Sequence, residues 1–362
     1  MLARLLSYDL PRSRWLAALL IVIVAGLALA PFLFPGARAL GVAAKILVFI
    51  VLVASYDLLL GYTGIVSFAH AMFFGIGAYG IAIAASRWGA EWGSVAAGAA
   101  AALALSVALS FAIGLFSLRV RALFYAMITL AVASAVLTLA SQLTEFTGGE
   151  DGLTFRVPAL LSPGFRLRDE PFLGVTLDGR LIAYYLLFTA TAVLFLLMLR
   201  IVNSPFGRVL QAIRENDFRA EALGYPVVVY RTLANVLSAA FATLAGCLLA
   251  LWLRYNGPGT SLSFEIMLDV LLIVVIGGMG TMYGAVVGAA LFLLAQSYLQ
   301  DLIALVSAAV APLPVVGGFL AALFSPDRWL LWLGLLFVLS VYFFPAGIVG
   351  KLRSIAARIS PG

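Results

Sequence analysis

The chain has 362 residues, of which 64% are hydrophobic and only 10% are charged, so its composition predicts an integral membrane protein rather than a soluble domain. The formal net charge of +6 does not indicate nucleic-acid binding, because the basic residues cluster at the ends of apolar segments and form no stripe with interleaved aromatics. The single cysteine, Cys247, and the single histidine, His70, exclude an internal disulfide, an iron–sulfur cluster and a Cys/His zinc site.

The first apolar segment follows Arg14 and extends from Trp15 to Phe34. It contains Ala28-Leu29-Ala30, which resembles a signal-peptide cleavage box, but Pro31 directly after the box disfavours cleavage. A run of about 20 apolar residues is long enough to span a bilayer. We therefore expect a first transmembrane helix rather than a cleaved signal.

Further apolar segments of membrane length predict one transmembrane domain over residues 1–362, an all-α, polytopic helix bundle with about ten transmembrane helices. These segments are about Leu40–Leu60, Ile65–Ser86, Val95–Leu118, Leu123–Leu143, Leu181–Ile201, Val227–Leu253, Ile266–Gly280, Val286–Ile303 and Trp329–Phe344. Glycines predict broken or re-entrant segments near residues 61–80 and 277–288. Residues 304–323 carry too many prolines and glycines to predict a span.

About ten crossings place both termini on one side of the membrane. Most basic residues then share that side, namely Arg4, Arg12, Arg14, Arg119, Arg121, Arg200, Arg208, Arg214, Arg219, Arg231, Lys351, Arg353 and Arg358. This bias predicts that the shared side is the cytoplasm. The long loop 144–180, which mixes acidic and basic residues, then lies outside and is expected to cover the external mouth.

Two stretches could line a route for a polar solute. Tyr62, Thr63, Ser67 and His70 gather hydroxyls and an imidazole between glycines, where an opened helix can offer backbone groups. A buried, hydrogen-bonded structural role for His70 is the alternative. Asp269 lies within an apolar segment, where a carboxylate costs about 2.5–3.5 kcal/mol and therefore faces protein or water. We treat these five residues as route candidates.

Glycine motifs in the chain predict packing rather than nucleotide binding. The segment Gly75–Gly80 fits G-x-G-x-x-G, but it lies inside a membrane segment and not in a soluble βαβ unit. Gly280, Gly284 and Gly288 form a four-residue seam, either within this chain or towards a partner. The chain has no Walker A loop, and its only lysines are Lys45 and Lys351. An ATP-driven process would need another chain to supply the ATPase.

The one long charged stretch between two membrane-length segments is Phe206–Tyr230. Ser204 and Pro205 predict a helix start, since the hydroxyl can cap free amides and proline is tolerated in the first turn. Apolar residues then fall on one helical face, which we expect to lie against the membrane body: Phe206, Val209, Leu210 and Ile213.

A shorter helix is predicted to follow. Asp217 can cap the segment Phe218–Leu223, Gly224 can end it in a left-handed conformation, and Pro226 prevents its continuation. Such a short helix is not stable alone. It therefore needs a partner, either the rest of this chain or another protein.

These residues resemble a known family. The run Gly207-Arg208-(x)4-Ala212-Ile213-Arg214-Glu215-Asn216-(x)4-Glu221-Ala222-Leu223-Gly224 is similar to the cytoplasmic coupling loop of ABC-importer permeases, in the form found in LivM-type subunits of branched-chain amino-acid importers. The resemblance continues over nearly the whole chain, at Leu58–Ala71, Phe74–Tyr79, Ile276–Thr281 and Phe344–Gly350. One departure is that Leu223 replaces the second alanine of the general Glu-Ala-Ala motif and Gly224 follows at once.

The resemblance implies that the loop 202–227 docks in a groove of an ATPase subunit. Its implied coupling residues are Arg214, Glu215, Asn216, Glu221, Ala222, Leu223 and Gly224. The implied partners are a second, LivH-like permease subunit, two ATPase subunits that hydrolyse ATP, a periplasmic or extracellular solute-binding protein and membrane lipid. No nucleic acid, cofactor or metal is implied. The expected function is amino-acid import across the cytoplasmic membrane, without catalysis by this chain.

Three alternatives stay open. Similar permeases serve urea, short amides or aromatic acids. A secondary transporter driven by an ion gradient would have matched broken helices in two halves and paired intramembrane acids, of which only Asp269 is plausible. A membrane-embedded enzyme would need a metal or a nucleophile–base cluster, which one histidine, one cysteine and scattered acids do not supply.

Overall fold

The computed structural model describes residues 13–34, 36–117, 122–167, 176–310 and 323–359, and these residues form a bundle of long helices. The helices are α1 (Arg14–Leu33), α2 (Ala37–Thr63), α3 (His70–Trp88), α4 (Trp92–Ser117), α5 (Ala122–Gln142), α6 (Thr144–Thr147), α7 (Gly179–Val202), α8 (Pro205–Glu215), α9 (Asp217–Ala222), α10 (Val227–Leu253), α11 (Pro258–Ser261), α12 (Phe264–Gly277), α13 (Met282–Val310), α14 (Trp329–Phe343) and α15 (Gly347–Ile359). Two short strands, β1 (Leu153–Thr154) and β2 (Tyr255–Asn256), pair antiparallel.

The predicted all-α, polytopic membrane bundle is confirmed. Within the described ranges, nine stretches are long and apolar enough to cross a membrane. The tenth predicted segment corresponds to α3, a helix whose side chains are nearly all buried among its neighbours. The basic residues Arg4, Arg12, Arg119 and Arg121, part of the loop 144–180, and most of the segment 304–323 lie outside the described residues.

The chain runs back and forth between two ends of the bundle. We call the end that carries residues 204–226 the proximal end and the opposite end the distal end. Tyr184 and Tyr185, near the start of α7, donate hydrogen bonds of 2.6 and 2.9 Å to the carbonyls of Leu27 and Ala28, near the end of α1. Helix α7 ends next to α8 at the proximal end, so α7 starts at the distal end. Because the start of α7 contacts the end of α1, α1 also ends at the distal end and starts at the proximal end. The described part of the loop 144–180 lies at the distal end.

The centre of the bundle consists of α2, α3 and α10, which are the most completely buried helices. Close packing depends on glycine: a methyl group on Gly77 would overlap the Thr243 carbonyl, and one on Gly246 would overlap the Phe74 carbonyl. Small residues let helix backbones approach in this way when no hydrophobic force between helices is available in lipid. The glycine motif in α3 therefore serves packing, as predicted.

One helix boundary differs from the prediction. The apolar pattern placed a helix from Ile65, but α2 ends at Thr63, Gly64 adopts a left-handed φ of 73°, and α3 starts only at His70. His70 lies against Ser238, near the middle of α10, so the irregular segment 64–69 lies at membrane depth. Such a backbone is tolerated only when protein satisfies it, and here the Phe68 N–H donates to Thr129 Oγ1 at 3.0 Å.

The second predicted break is shorter. Residues 278–281 form a tight turn between α12 and α13, with φ values of 115° at Gly278 and 78° at Gly280. The four-residue glycine seam packs within the chain, because Gly288 of α13 lies against the Ile273 carbonyl of α12. Both interruptions expected near 61–80 and 277–288 are therefore present.

Candidate coupling site and intramembrane polar groups

Helix α8 forms as its sequence predicts. Ser204 Oγ accepts a hydrogen bond of 3.4 Å from the Gly207 N–H, and Pro205 occupies the first helical position. Leu210 and Ile213 are buried against the bundle, and Phe206 stacks on Tyr230 with ring centroids 5.7 Å apart. The apolar face thus fixes α8 on the proximal surface.

Helix α9 starts one residue earlier than predicted. Asn216, not Asp217, is the N-cap, because its Oδ1 accepts a 2.8 Å hydrogen bond from the Arg219 N–H. Asp217 instead forms an ion pair of 3.4 Å with Arg231 at the start of α10. Gly224 has a φ of 91°, as expected for the helix end. Ala220 is buried in a cluster with Ile213 and Val227, so the chain itself supplies part of the support that this short helix needs.

The structure leaves all seven predicted coupling residues exposed: Arg214, Glu215, Asn216, Glu221, Ala222, Leu223 and Gly224. Two large apolar side chains of the same segment also face outward, since Phe218 is 80% and Leu223 is 73% exposed. A cavity of about 250 Å³ lies between α8 and α9. Clustered exposed apolar side chains rimmed by charges are typical of a protein interaction surface. We call residues 214–225 the docking segment.

The docking segment connects directly to the membrane helices. The guanidinium of Arg214 donates a hydrogen bond to the Gly61 carbonyl, one of the last carbonyls of α2, which have no partner within the helix. Buried Asp57 accepts a 2.8 Å hydrogen bond from the Gly280 N–H. A methyl group on Gly61 would overlap that same N–H. Helices α2 and α8 and the turn 278–281 therefore meet at backbone distance.

We call this meeting point the proximal junction, formed by Asp57, Gly61, Arg214, Gly278 and Gly280. Gly347, at the start of α15, lies so close to Gly278 that a side chain on Gly347 would overlap the Gly278 backbone. The junction therefore brings together four of the five sequence segments that carry the family resemblance: 58–71, 207–224, 276–281 and 344–350. Residues far apart in sequence therefore contact one another at this one place.

The first group of route candidates lies next to the junction. Tyr62 and Thr63 form the last turn of α2, where both are buried and Thr63 Oγ1 donates to the Leu59 carbonyl at 2.5 Å. Ser67 and His70 have no exposed surface. His70 Nε2 lies 2.7 Å from Ser238 Oγ. These residues occupy the break between α2 and α3.

His70 belongs to a network that the sequence analysis did not find. Ser238 Oγ donates in turn to the Ser55 carbonyl. In the same region Tyr125 donates to Asn235 Oδ1 at 3.0 Å, and Asn235 Nδ2 donates to the Ser110 carbonyl at 2.8 Å. The available signal was the position of Asn235 and Ser238 inside an apolar segment. We call this set, with Tyr56 against His70, the closed polar core.

Asp269 has different partners from the other route candidates. Gln296 Nε2 donates to Asp269 Oδ2 at 3.2 Å, and Lys45 Nζ donates to Gln296 Oε1 at 3.0 Å. All three side chains are half-buried. We call them the charged cluster. The five candidates therefore divide between two places, and Lys45 and Gln296 were missed because they are distant from Asp269 in sequence.

Across the described ranges, no group of three or more His, Cys, Asp or Glu residues is placed to hold a metal ion.

Comparison with known proteins identifies the family of the chain. Two relatives, from Salmonella typhimurium and Escherichia coli, are described as high-affinity branched-chain amino acid transport system permease protein LivM and are 29% and 30% identical over 299 residues, 79% of this chain and 68% of each relative. A probable branched-chain amino acid transport permease protein LivM from Methanocaldococcus jannaschii is 27% identical over 171 residues, 47% of this chain and 46% of that relative. No solved structure matches the chain. Residues 38–341 match the family described as branched-chain amino acid transport system / permease component, so the chain is a multi-pass membrane protein that belongs to this family of transport permeases.

Proposed function

We propose that this chain is the permease subunit of an ATP-driven importer of branched-chain or related amino acids. The observation that carries the proposal is the proximal junction, where an exposed docking segment is bonded through Arg214 to the end of a central helix. An ATPase on a separate chain can move the central helices only through an exposed segment that is bonded to them. The LivM relatives support the choice of solute.

The docking segment is proposed to transmit the movement of one ATPase subunit to this chain. The exposed Phe218 and Leu223 would enter an apolar groove of an ATPase subunit, and the other six coupling residues would lie at its rim. Because only Asn216 separates α9 from the end of α8, a displacement of α9 would also move Arg214 in the last turn of α8. Arg214 then acts on the Gly61 end of α2 and on the turn 278–281. ATP hydrolysis takes place on two separate ATPase subunits.

The other proposed partners occupy the remaining surfaces. A second, LivH-like permease subunit completes the route, and a solute-binding protein delivers the solute to the distal end beside the loop 144–180. Membrane lipid contacts the exposed apolar residues of α1 and α14. Residues 1–362 act as one transmembrane domain, with the loop 202–227 for coupling. Tyr62, Thr63, Ser67 and His70 are proposed to line the route when the break between α2 and α3 opens.

The proposed orientation places the proximal end and both termini in the cytoplasm, in the inner membrane of the cell. The basic residues Arg14, Arg200 and Lys351 lie at proximal helix ends, which matches the rule for cytoplasmic loops. In a Cys247→Ser background, Asp151→Cys should react with an impermeant thiol reagent on intact cells. Asn216→Cys should react only after permeabilisation. Labelling at 216 but not at 151 on intact cells would contradict the orientation.

The partner proposal is tested by purification of the chain from its native membrane in a mild detergent. We expect an ATPase pair and a second permease to co-purify in fixed proportion. Recovery of the chain alone, together with gradient-driven solute uptake in vesicles, would instead indicate a secondary transporter. ATP-dependent uptake of urea, short amides or aromatic acids, but not of leucine, would retain the importer class and change the solute.

The coupling proposal is tested by Ala222→Pro at the end of α9. Proline removes a helix hydrogen bond and restricts Glu221 before it, at a cost of roughly 3 kcal/mol in a helix interior. This cost falls on an exposed element, so the chain should insert normally while ATP-driven uptake fails. Ala222→Ser is the matched control and should transport normally. Full uptake by Ala222→Pro at a normal membrane level would refute the role of α9.

A further inference from the structure

The charged cluster lies deep in the bundle. Lys45 is more than two turns into α2, about 12 Å from its distal end at 1.5 Å per residue. Gln296 is the central residue of α13, and Asp269 lies in the second turn of α12. The three residues therefore connect three separate membrane helices at the depth of the hydrocarbon layer.

The cluster also reaches the outer surface of the chain. Lys45, Gln296 and Asp269 are each half-buried, so the bundle does not enclose these three residues completely. Hydrocarbon cannot cover such groups without a large cost, and intramembrane charges therefore face protein or a water-filled route. The surface shared by α2, α12 and α13 at this depth is consequently not a lipid surface.

The hydrogen bonding leaves capacity for a ligand. The Lys45 ammonium has three donors and gives one to Gln296 Oε1. The Asp269 carboxylate accepts one hydrogen bond from Gln296 Nε2 and can accept several more. The two charges are joined through a single amide group, which holds them within reach of one small molecule. The pair is neutral overall, so a neutral molecule that carries both charges leaves no charge unbalanced.

We propose that Lys45 and Asp269 bind the carboxylate and the ammonium group of a zwitterionic amino acid in the translocation route, with Gln296 fixing their separation. This inference rests on the proposed function and specifies which surface the solute meets. The exposed Leu268, next to Asp269 on α12, supplies apolar surface for an aliphatic side chain. Exposed Glu265, one turn towards the distal end, lies at the entrance side of the cluster.

The test uses the complete transporter in proteoliposomes, with internal ATP and labelled leucine. Lys45→Met and Asp269→Asn should each lower the initial uptake rate at least about tenfold, as expected for loss of one charged hydrogen-bond partner. Membrane level and partner assembly should stay unchanged. Lys45→Arg and Asp269→Glu should recover part of the uptake. Arg38→Met is the matched control, on the same helix but at the distal surface.

The double variant Lys45→Met/Asp269→Asn distinguishes solute binding by the two charges from a role in which they only neutralise each other. A solute-binding pair predicts uptake at least as low as in either single variant. If the double variant regains normal uptake, the two charges only neutralise each other, and the inference is wrong. Loss of the second permease from the single variants would also overturn it, because the cluster would then be a subunit contact. Absence of ATP-driven leucine uptake by the unmodified transporter would refute the proposed function itself.

A second measurement needs no change in the cluster. The chain has only two lysines, so Lys351→Arg leaves Lys45 as its single lysine side chain. Saturating leucine should slow acylation of Lys45 by a small amine-reactive ester at least about tenfold, since a bound carboxylate would occupy the ammonium. A labelling rate that does not change with leucine would contradict the proposed contact.

Discussion

The closed polar core and the charged cluster both place polar side chains at membrane depth, but they satisfy them differently. The core consists of neutral groups, such as His70, Ser238 and Asn235, that are buried and bonded within the chain. The cluster consists of charged groups, Lys45 and Asp269, that are bonded through Gln296 and remain half-exposed. The first arrangement is buried within one subunit, although His70 Nδ1 has no hydrogen-bond partner among the described residues. The second arrangement is partly exposed, and its surface therefore faces water, solute or another chain.

This difference predicts different consequences of substitution. In the core, a lost partner leaves a buried polar group unsatisfied, so stability should fall first. In the cluster, each group keeps some access to solvent, so transport should fall while the chain remains folded. The proximal junction lies between these cases, because Arg214 is exposed but bonded to a central helix.

The largest effect is expected from Gly246→Leu at the centre of the bundle. The added side chain would overlap the Phe74 carbonyl, a backbone atom that cannot move by a rotamer change. We expect a loss of about 3 kcal/mol or more in the free energy of unfolding and little chain in the membrane. Membrane level and thermal stability in detergent measure this. Gly26→Leu, where nothing lies within 4 Å of an added Cβ, is the control and should be stable.

A smaller loss of stability is expected for His70→Leu. The substitution removes the contact with Ser238 inside the closed polar core and should cost about 1–3 kcal/mol. His70→Gln keeps a donor and an acceptor and should be milder. Thermal unfolding and uptake, measured on the same preparations, distinguish the two roles of His70. Reduced uptake of His70→Leu beyond its loss of stability would support the proposed role in lining the route, whereas normal stability and normal uptake would contradict both roles.

Arg214→Ala should leave stability nearly unchanged but uncouple transport. It removes the bond from the docking segment to the Gly61 carbonyl at the end of α2, while the buried face of α8 remains in place. We expect leucine uptake per ATP hydrolysed to fall roughly tenfold, equivalent to about 1.4 kcal/mol of lost coupling. Arg208→Ala, exposed on the same helix, is the control. An unchanged uptake-to-hydrolysis ratio would show that the junction does not transmit movement.

The smallest effect is expected at the distal end of α2. Arg38 and Asp301 form an ion pair of 2.8 Å, with 62% and 52% of their side chains exposed. Exposed pairs contribute about 0–1 kcal/mol, so Arg38→Gln should change thermal stability and uptake little. Lys45 lies on the same helix but deeper and less exposed, so its substitution is expected to reduce uptake much more than that of Arg38. An equally large transport defect at Arg38 would remove the distinction between the two sites.

Local patterns in the sequence predicted much of the fold. Apolar length predicted the helices, and the spacing of Phe206, Leu210 and Ile213 predicted the buried face of α8. Capping rules identified Ser204 and Gly224, but placed the α9 cap on Asp217, because neighbouring Asn216 and Asp217 can both accept such a bond. Glycines predicted a break near residues 61–80 but not its bounds, and the start of α3 was placed at Ile65 instead of His70 because Ile65–Ala69 is mostly apolar.

Long-range pairings were the main omission. Lys45 lies in the second helix, whereas its partner Gln296 lies 251 residues later. Hydropathy treats each segment separately and gives no information on which helices touch. The same limit hid the bond of Arg214 to Gly61, although both residues lay in segments that carry the family resemblance. The sequence therefore predicted His70 and Asp269 as candidates, whereas Lys45, Gln296 and the partners of both candidates were found only in the fold.

The central claim, that an external ATPase drives transport through the proximal junction, is tested most directly by leucine uptake into proteoliposomes that contain the complete transporter and its binding protein. The account predicts uptake that requires internal ATP, persists when sodium and proton gradients are collapsed, and is lost in Ala222→Pro while the complex stays assembled. Uptake that proceeds without ATP and disappears when a gradient is collapsed would contradict it.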